Sequence, residues 1–134
     1  MILVDTNVWS ELTKPEPEPR VRHWLIANDD ALWLSVLVIA EIRRGIELPK
    51  AQGRRSELLG WLNGLELAFE RRILDFDADA AHIFGALMAR KQGEATLIDL
   101  QIAAQAIAAD MPVATRNGKD FAWTGARLVN PWEA

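Results

Sequence analysis

Five short apolar runs, separated by longer stretches of helical periodicity, constrain this chain more than any other feature. They are Ile2–Val4, Ala31–Val38, Ile73–Phe76, Pro112–Thr115 and Arg127–Val129. A short apolar run bounded by turn or capping residues reads as a buried strand. The segments between carry apolar residues three and four apart, as in Leu58, Trp61, Leu62, Leu65 and Phe69 of the Arg54–Glu70 stretch, which is one face of a helix. Strands alternating with helices predict a three-layer α/β/α sandwich on a mostly parallel sheet of about five strands, closed by right-handed crossovers.

Local signals delimit the helices. Asp5-Thr6-Asn7 follows the first run with three residues able to cap a helix. The alternating prolines of Lys14–Pro19 forbid helix and central strand, and Pro19 suits the first position of a helix carrying Val21, Trp24 and Leu25. Ser35 caps a helix running through Glu41 to about Glu47, which Leu48-Pro49 stops. Asp77 caps another, with Ala80, Ile83, Phe84 and Leu87 on one stripe and Arg90, Lys91 and Gly93 as its C-terminal pattern. Thr96 and Asp99 have capping-box spacing before an Ala-rich helix to Ala109. No linker or repeat interrupts the pattern, so residues 1–134 are expected to form one domain.

Composition removes several chemistries. With no cysteine there is no disulfide framework, thiolate nucleophile or Cys-ligated zinc, and His23 and His82 are too far apart in sequence to make a ligand motif. The longest apolar run, Val36–Ala40, is far short of a membrane span, and the first residues lack the basic start of a signal peptide. A cytoplasmic protein with no membrane contact is expected. The net charge of −4 argues against indiscriminate electrostatic capture of nucleic acid.

Ligand sites in open parallel sheets form beyond the carboxyl ends of the strands, and the acids expected there are few. Asp5 ends the first strand, Glu41 lies on the helix after the second, Asp99 opens the helix before the fourth, and Asp120 follows the fourth in Thr115-Arg-Asn-Gly-Lys-Asp120. Carboxylates brought together repel and raise one another's pKa, and a hard divalent cation with oxygen ligands relieves that repulsion. Such a centre can hold a phosphodiester and activate a water for hydrolysis. Each acid also has a purely structural reading: Asp5 as a helix cap, Asp99 as the acid of a capping box, Asp120 as a turn residue beside Gly118, and Glu41 as a helix partner of Arg44.

The segments Ile-Leu-Val-Asp5-Thr-Asn-Val, Leu-Ser35-Val-Leu-Val-Ile-Ala-Glu41-Ile-Arg-Arg-Gly45, Ile-Asp99-Leu-Gln-Ile-Ala-Ala and Ala-Thr115-Arg-Asn117-Gly-Lys-Asp120-Phe together resemble the PIN-domain ribonuclease toxins of VapBC-type toxin–antitoxin pairs. The Pro-Glu-Pro segment, Gly53-Arg-Arg and the closing Leu128-Val-Asn-Pro-Trp132 resemble the FitB-like branch in particular. The resemblance spans essentially the whole chain. It implies a Mg²⁺- or Mn²⁺-dependent endoribonuclease whose metal-binding acids are Asp5, Glu41, Asp99 and Asp120, with Thr6, Asn7, Ser35, Thr115 and Asn117 as supporting polar residues. It further implies a homodimer silenced by a small cognate antitoxin, which alone contacts operator DNA. Trp9 departs from the usual aliphatic residue and is expected to narrow the mouth of the site or to pack under the proline-rich segment. Gly118 departs from a bulkier residue and is expected to loosen the turn carrying Asp120.

RNA requires cations near the acids. Arg43, Arg44, Lys50, Arg54 and Arg55 cluster in sequence, and Arg116 and Lys119 flank the last motif, giving either a phosphate-contacting rim or ordinary solvated helix faces. Of six tryptophans, Trp24, Trp33 and Trp61 read as core or strand residues, which leaves Trp9 and Trp123 as surface candidates for base stacking. Gly60 and Gly64 suit either close approach of a partner chain or a plain solvent face. Two other functions stand as alternatives. A phospho-acceptor receiver domain has acids at the same edge, but needs an acidic pair after the first strand and a lysine after the last, and this chain has Asp5-Thr6 and no lysine after Val129. A PIN-like module without catalysis differs only in turnover.

Overall fold

In the computed structural model, which describes Met1–Ala134, five strands form one sheet in the order β3-β2-β1-β4-β5, every neighbouring pair parallel. The elements are β1 (Ile2–Val4), α1 (Thr6–Glu11), α2 (Pro19–Ala27), β2 (Leu32–Ser35), α3 (Val36–Glu47), α4 (Arg55–Ala68), β3 (Ile73–Leu74), α5 (Ala78–Ala89), α6 (Leu97–Ala108), β4 (Val113–Ala114), α7 (Gly118–Phe121) and β5 (Leu128–Val129). The expected α/β/α sandwich on a parallel sheet is the observed architecture.

Apart from β1, which fills its run, the strands are shorter than their apolar runs. The Ala31–Val38 run divides at Ser35, whose hydroxyl accepts a hydrogen bond from Leu37 N and starts α3 inside the apolar stretch. A local cap thus overrides β propensity for Val36 to Val38. Asp77 and the reciprocal Thr96–Asp99 capping box begin α5 and α6 as expected. Gly93 is different: α5 is capped at Arg90, and the left-handed φ of +63° at Gly93 serves the following turn instead. Gly118 lies inside α7 at an ordinary φ, with Leu128 in normal contact, so nothing there exploits glycine's freedom.

The core gathers Leu3 and Val4 of β1, Leu32 and Leu34 of β2, Val113 and Ala114 of β4, and Val38, Ile42, Leu62, Leu87, Ile102 and Phe121 from the helices. Trp9 belongs to it. Only 3% exposed, it meets Phe69 edge-on at 5.2 Å between ring centroids. Its size is used for packing, so it is not a surface for base stacking. No helix is long and apolar enough to cross a membrane.

The strand order decides where the site is. From β1 the chain runs to β2 on one side, and it later returns through β4 on the other. The carboxyl ends of β1 and β4 therefore flank the point where the winding reverses, the place where open α/β sheets leave a crevice.

Candidate active site

Asp5 occupies that point. It follows β1, is 3% exposed, and caps α1 by accepting from Thr6 N at 2.8 Å. Its other oxygen accepts from Thr115 Oγ1 at 2.8 Å and from Asn7 Nδ2 at 3.2 Å. Thr115 follows β4, so the Asp5–Thr115 bond joins the two strand ends at the reversal. Thr115 Oγ1 also accepts from Asn7 Nδ2 and Asn117 N, and Asn7 Oδ1 accepts from Arg116 N. Asp5, Asn7, Thr115 and the backbone of Arg116 and Asn117 thereby form one fixed network.

Burial is the largest influence on the Asp5 carboxyl and raises it from 3.8 to about 6, against the lowering effect of the Thr115 and Thr6 bonds. The charges of Asp99 and Glu41 raise it further. Glu41, on α3, accepts a 2.6 Å hydrogen bond from Thr6 Oγ1. Its carboxyl is also raised, first by burial and then by Asp99, with the Thr6 bond and the more distant Arg44 opposing. Asp99, in the first turn of α6, receives Thr96 N on Oδ2 at 2.9 Å, which leaves Oδ1 without an intramolecular donor.

The structure therefore brings Asp5, Glu41 and Asp99 within electrostatic reach of one another. Asp120 stands outside that set. It is half-buried in the first turn of α7, its carboxylate makes no hydrogen bond, and its charge is not among those acting on Asp5 or Glu41. None of the four acids is paired with a cation: the ion pairs are Lys14–Glu11, Arg43–Glu47, Arg54–Glu57 and Arg127–Asp110. Arg44 does not become the partner of Glu41.

Capping and clustering coexist here. Asp5 and Asp99 are the helix caps their sequence positions suggest, yet each keeps acceptor capacity beyond its cap, since a carboxylate offers about four lone-pair positions. No three acids converge closely enough to enclose an ion as arranged. A cation held here would therefore take one or two carboxylates directly and complete its shell with water, as magnesium does.

The supporting residues divide into two groups. Thr6, Asn7, Thr115 and Asn117 belong to the Asp5 and Glu41 network. Ser35 does not: it is fully buried, and its hydroxyl donates to Gln105 Oε1 while accepting from Leu37 N. Gln105 in turn donates to Leu74 O and Asp75 O, tying α6 to the ends of β2 and β3. Sequence reasoning missed Gln105, whose one signal is that it is the sole polar residue in the otherwise apolar stretch from Ile102 to Ala109 of α6 and its C-cap.

Several expected cations are committed elsewhere. Arg43 pairs with Glu47, Arg54 with Glu57, and Arg55 donates to the carbonyls of Ile46 and Glu47. Arg44, Lys50, Arg116 and Lys119 form no ion pair and are exposed. Among the tryptophans, Trp61 shares a cavity with Glu41: with Thr6, Ser10 and Thr13 they line a space of about 160 Å³.

Comparison with known proteins identifies the family. Residues 2–125 match the PIN domain. The chain is 40% identical to the VapC ribonuclease Y4jK of Sinorhizobium fredii over 138 aligned positions, covering 99% of both chains. Its fold superposes on FitAcB from Neisseria gonorrhoeae with a TM-score of 0.90 at 33% identity, covering all of both chains. It superposes on DNA-bound VapBC from Salmonella typhimurium with a TM-score of 0.78 at 26% identity, covering 97% of each. With the acids at the sheet reversal, the domain match and the near-complete alignments in agreement, this chain belongs to the PIN-domain family.

Proposed function

We propose that residues 1–134 form a single PIN-like nuclease domain, the toxin of a type II toxin–antitoxin pair, and that it hydrolyses RNA phosphodiesters with Mg²⁺ or Mn²⁺. One observation carries the reading: a nearly inaccessible carboxylate, Asp5, shares the sheet reversal with Glu41 and Asp99, and none of them has a cation partner. Uncompensated carboxylates so placed are costly unless they serve to bind a cation. Asp5, Glu41 and Asp99 would hold it, with Asp120 as an outer contributor. A divalent cation, when bound, supplies Lewis acidity to the phosphodiester and to the attacking water.

The remaining work falls to the chain itself. Thr115, Asn7 and Thr6 N aim Asp5, Thr6 Oγ1 aims Glu41, and the capping box holds Asp99 by one oxygen while leaving the other free. These bonds keep the acids in place before substrate arrives, so little reorganisation accompanies binding. The unpaired Arg44, Arg116 and Lys119 supply positive charge around the acids, whereas Arg43 must first leave Glu47.

The relatives named above include a toxin–antitoxin complex bound to DNA, which supports a small antitoxin as partner; operator contact through that antitoxin and a homodimeric toxin complete the proposal. The antitoxin's seat would be the apolar groove of about 670 Å³ between α1 and α2, where Trp9, Leu12, Leu25 and Phe69 lie beneath an Ile26 that is 67% exposed.

The test is cleavage of an RNA pool by antitoxin-free protein with Mg²⁺ or Mn²⁺, its loss in EDTA, and its loss in Glu41→Gln. Folded protein that cleaves no RNA under these conditions would leave a PIN-like binding module without turnover as the correct description.

A further inference from the structure

Beside the acids, the ends of β4 and β5 border a second polar cavity of about 480 Å³. It is lined by Thr115, Arg116, Asn117, Lys119, Asn130 and Glu133, among others. It shares Thr115 with the Asp5 network, so anything bound there lies directly alongside the acid cluster. Two of its cations, Arg116 and Lys119, have no ion-pair partner. Acids near them, besides Asp5 behind Thr115, include Asp120 next to Lys119 in α7, Glu133 on the cavity wall, and Glu11, whose carboxylate is already held by Lys14 Nζ at 2.8 Å and Glu18 N at 2.9 Å.

Arg116 is not a free surface side chain. Its guanidinium lies over the Trp132 ring, 5.0 Å from the centroid. Trp132 belongs to the C-terminal 3₁₀ turn Pro131–Glu133, which Asn130 caps through Trp132 N at 2.9 Å. Arg20 on α2 donates to Trp132 O at 3.2 Å, and Pro131 is buried. The indole thus has a fixed base. A guanidinium stacked on an aromatic face keeps its in-plane N–H donors free, and these match a phosphate. The backbone of Arg116 is equally fixed, because its N–H donates to Asn7 Oδ1.

We propose that this cavity is a phosphate subsite for the RNA strand, taking the phosphate adjacent to the one at the acids, and that Trp132 is a positioning residue that aims Arg116 into it. The proposal rests on the ribonuclease reading given above and adds to it a strand path: from the acid cluster over Thr115 toward the carboxyl end of β5. It gives the C-terminal turn a part in substrate binding although that turn touches none of the acids. Lys119 adds a second, unstacked charge on the same wall.

The experiment is the salt dependence of binding of a short single-stranded RNA in EDTA, read by fluorescence anisotropy. Steady-state cleavage of the same RNA with Mg²⁺ or Mn²⁺ accompanies it. Arg116→Ala should weaken binding roughly tenfold and reduce the slope of log K against log salt by about 0.7, the share of one phosphate contact on a single strand. It should raise KM and leave kcat nearly unchanged. Trp132→Leu, which keeps an apolar side chain in the turn, should weaken binding roughly threefold. Trp132→Tyr should restore most of that, and Trp132→Leu should add nothing to Arg116→Ala. An unchanged salt slope in Arg116→Ala, or equal and additive losses for Trp132→Leu and Trp132→Tyr, would overturn the proposal. So would a loss of antitoxin affinity with RNA binding intact, which would make the cavity a protein contact. Wild-type protein that neither binds nor cleaves RNA refutes the ribonuclease reading itself, whereas normal cleavage with an indifferent Arg116→Ala refutes the subsite alone.

Discussion

Replacing Asp5 with asparagine should make the metal-free protein more stable at alkaline pH and less stable at acid pH. In the folded chain burial raises the Asp5 carboxyl from 3.8 to about 6. That gap corresponds to about 3 kcal/mol against the ionised form, with little discount for solvent because the residue is 3% exposed. The folded state binds this proton more tightly than the unfolded state. The stability it contributes is therefore complete below 3.8 and lost as pH rises through about 6. Asparagine removes the dependence. It also either turns its N–H₂ toward Asn7 Nδ2, which strips Thr115 Oγ1 of its acceptor, or turns it toward Thr6 N, which costs about 1–2 kcal/mol. The balance at pH 8 is a gain of about 1–2 kcal/mol for Asp5→Asn, reversing to a loss of similar size near pH 4. For a chain of this length each kcal/mol moves Tm by roughly 3–5 °C. Thermal melts of both proteins in EDTA from pH 4 to 8 read the difference, since groups not coupled to Asp5 cancel, while Glu41 and Asp99, whose charges act on Asp5, add to the same difference. Added Mg²⁺ should then raise the Tm of the wild type more than that of the variant. A difference that stays constant with pH would refute the reasoning, and a uniform loss would reduce Asp5 to the cap of α1.

Three further outcomes follow from individual contacts. Thr115→Val removes the donor to Asp5 and the acceptor of Asn7 Nδ2 and Asn117 N; urea denaturation should show a loss of about 1–3 kcal/mol, with cleavage impaired well beyond that of an equally destabilised core variant. Gln105→Leu breaks the buried link from Ser35 to Leu74 O and Asp75 O and should cost about 2–3 kcal/mol. Its Mg²⁺ affinity, read by calorimetry, should stay normal, because the network does not touch the acids. Ile26→Asp, at a side chain 67% exposed on the rim of the apolar groove, should leave Tm and RNA cleavage unchanged while weakening antitoxin binding at least tenfold; unaltered affinity would move the antitoxin's seat elsewhere.

Much of this molecule is local and therefore readable along the chain. The starts of α1, α3, α5 and α6 are set by Asp5, Ser35, Asp77 and Thr96. Each side chain reaches a backbone N–H within three residues, so the information lies within one helical turn. The alternation that implies a parallel sheet is equally a matter of spacing. Asp5 and Asp99 could be placed at the sheet's carboxyl edge because each sits at such a helix start, and Glu41 because it lies on the helix that follows β2 directly.

Tertiary structure decided the rest. Asp5 meets Thr115, 110 positions away, because β4 pairs with β1, and strand order leaves no mark in residue spacing. Asp120, which the motif groups with the other acids, is half-buried in the first turn of α7 with a carboxylate that makes no hydrogen bond. Trp9 in the core, Arg55 bound to the Ile46 and Glu47 carbonyls, and Arg116 stacked and unpaired depend on which surfaces distant segments present, whereas the Arg43–Glu47 and Arg54–Glu57 pairs are local spacings of four and three residues. A residue's type sets what it can bond to. Only the fold sets what lies within reach, because burial and charge pairing are properties of a neighbourhood assembled from the whole chain.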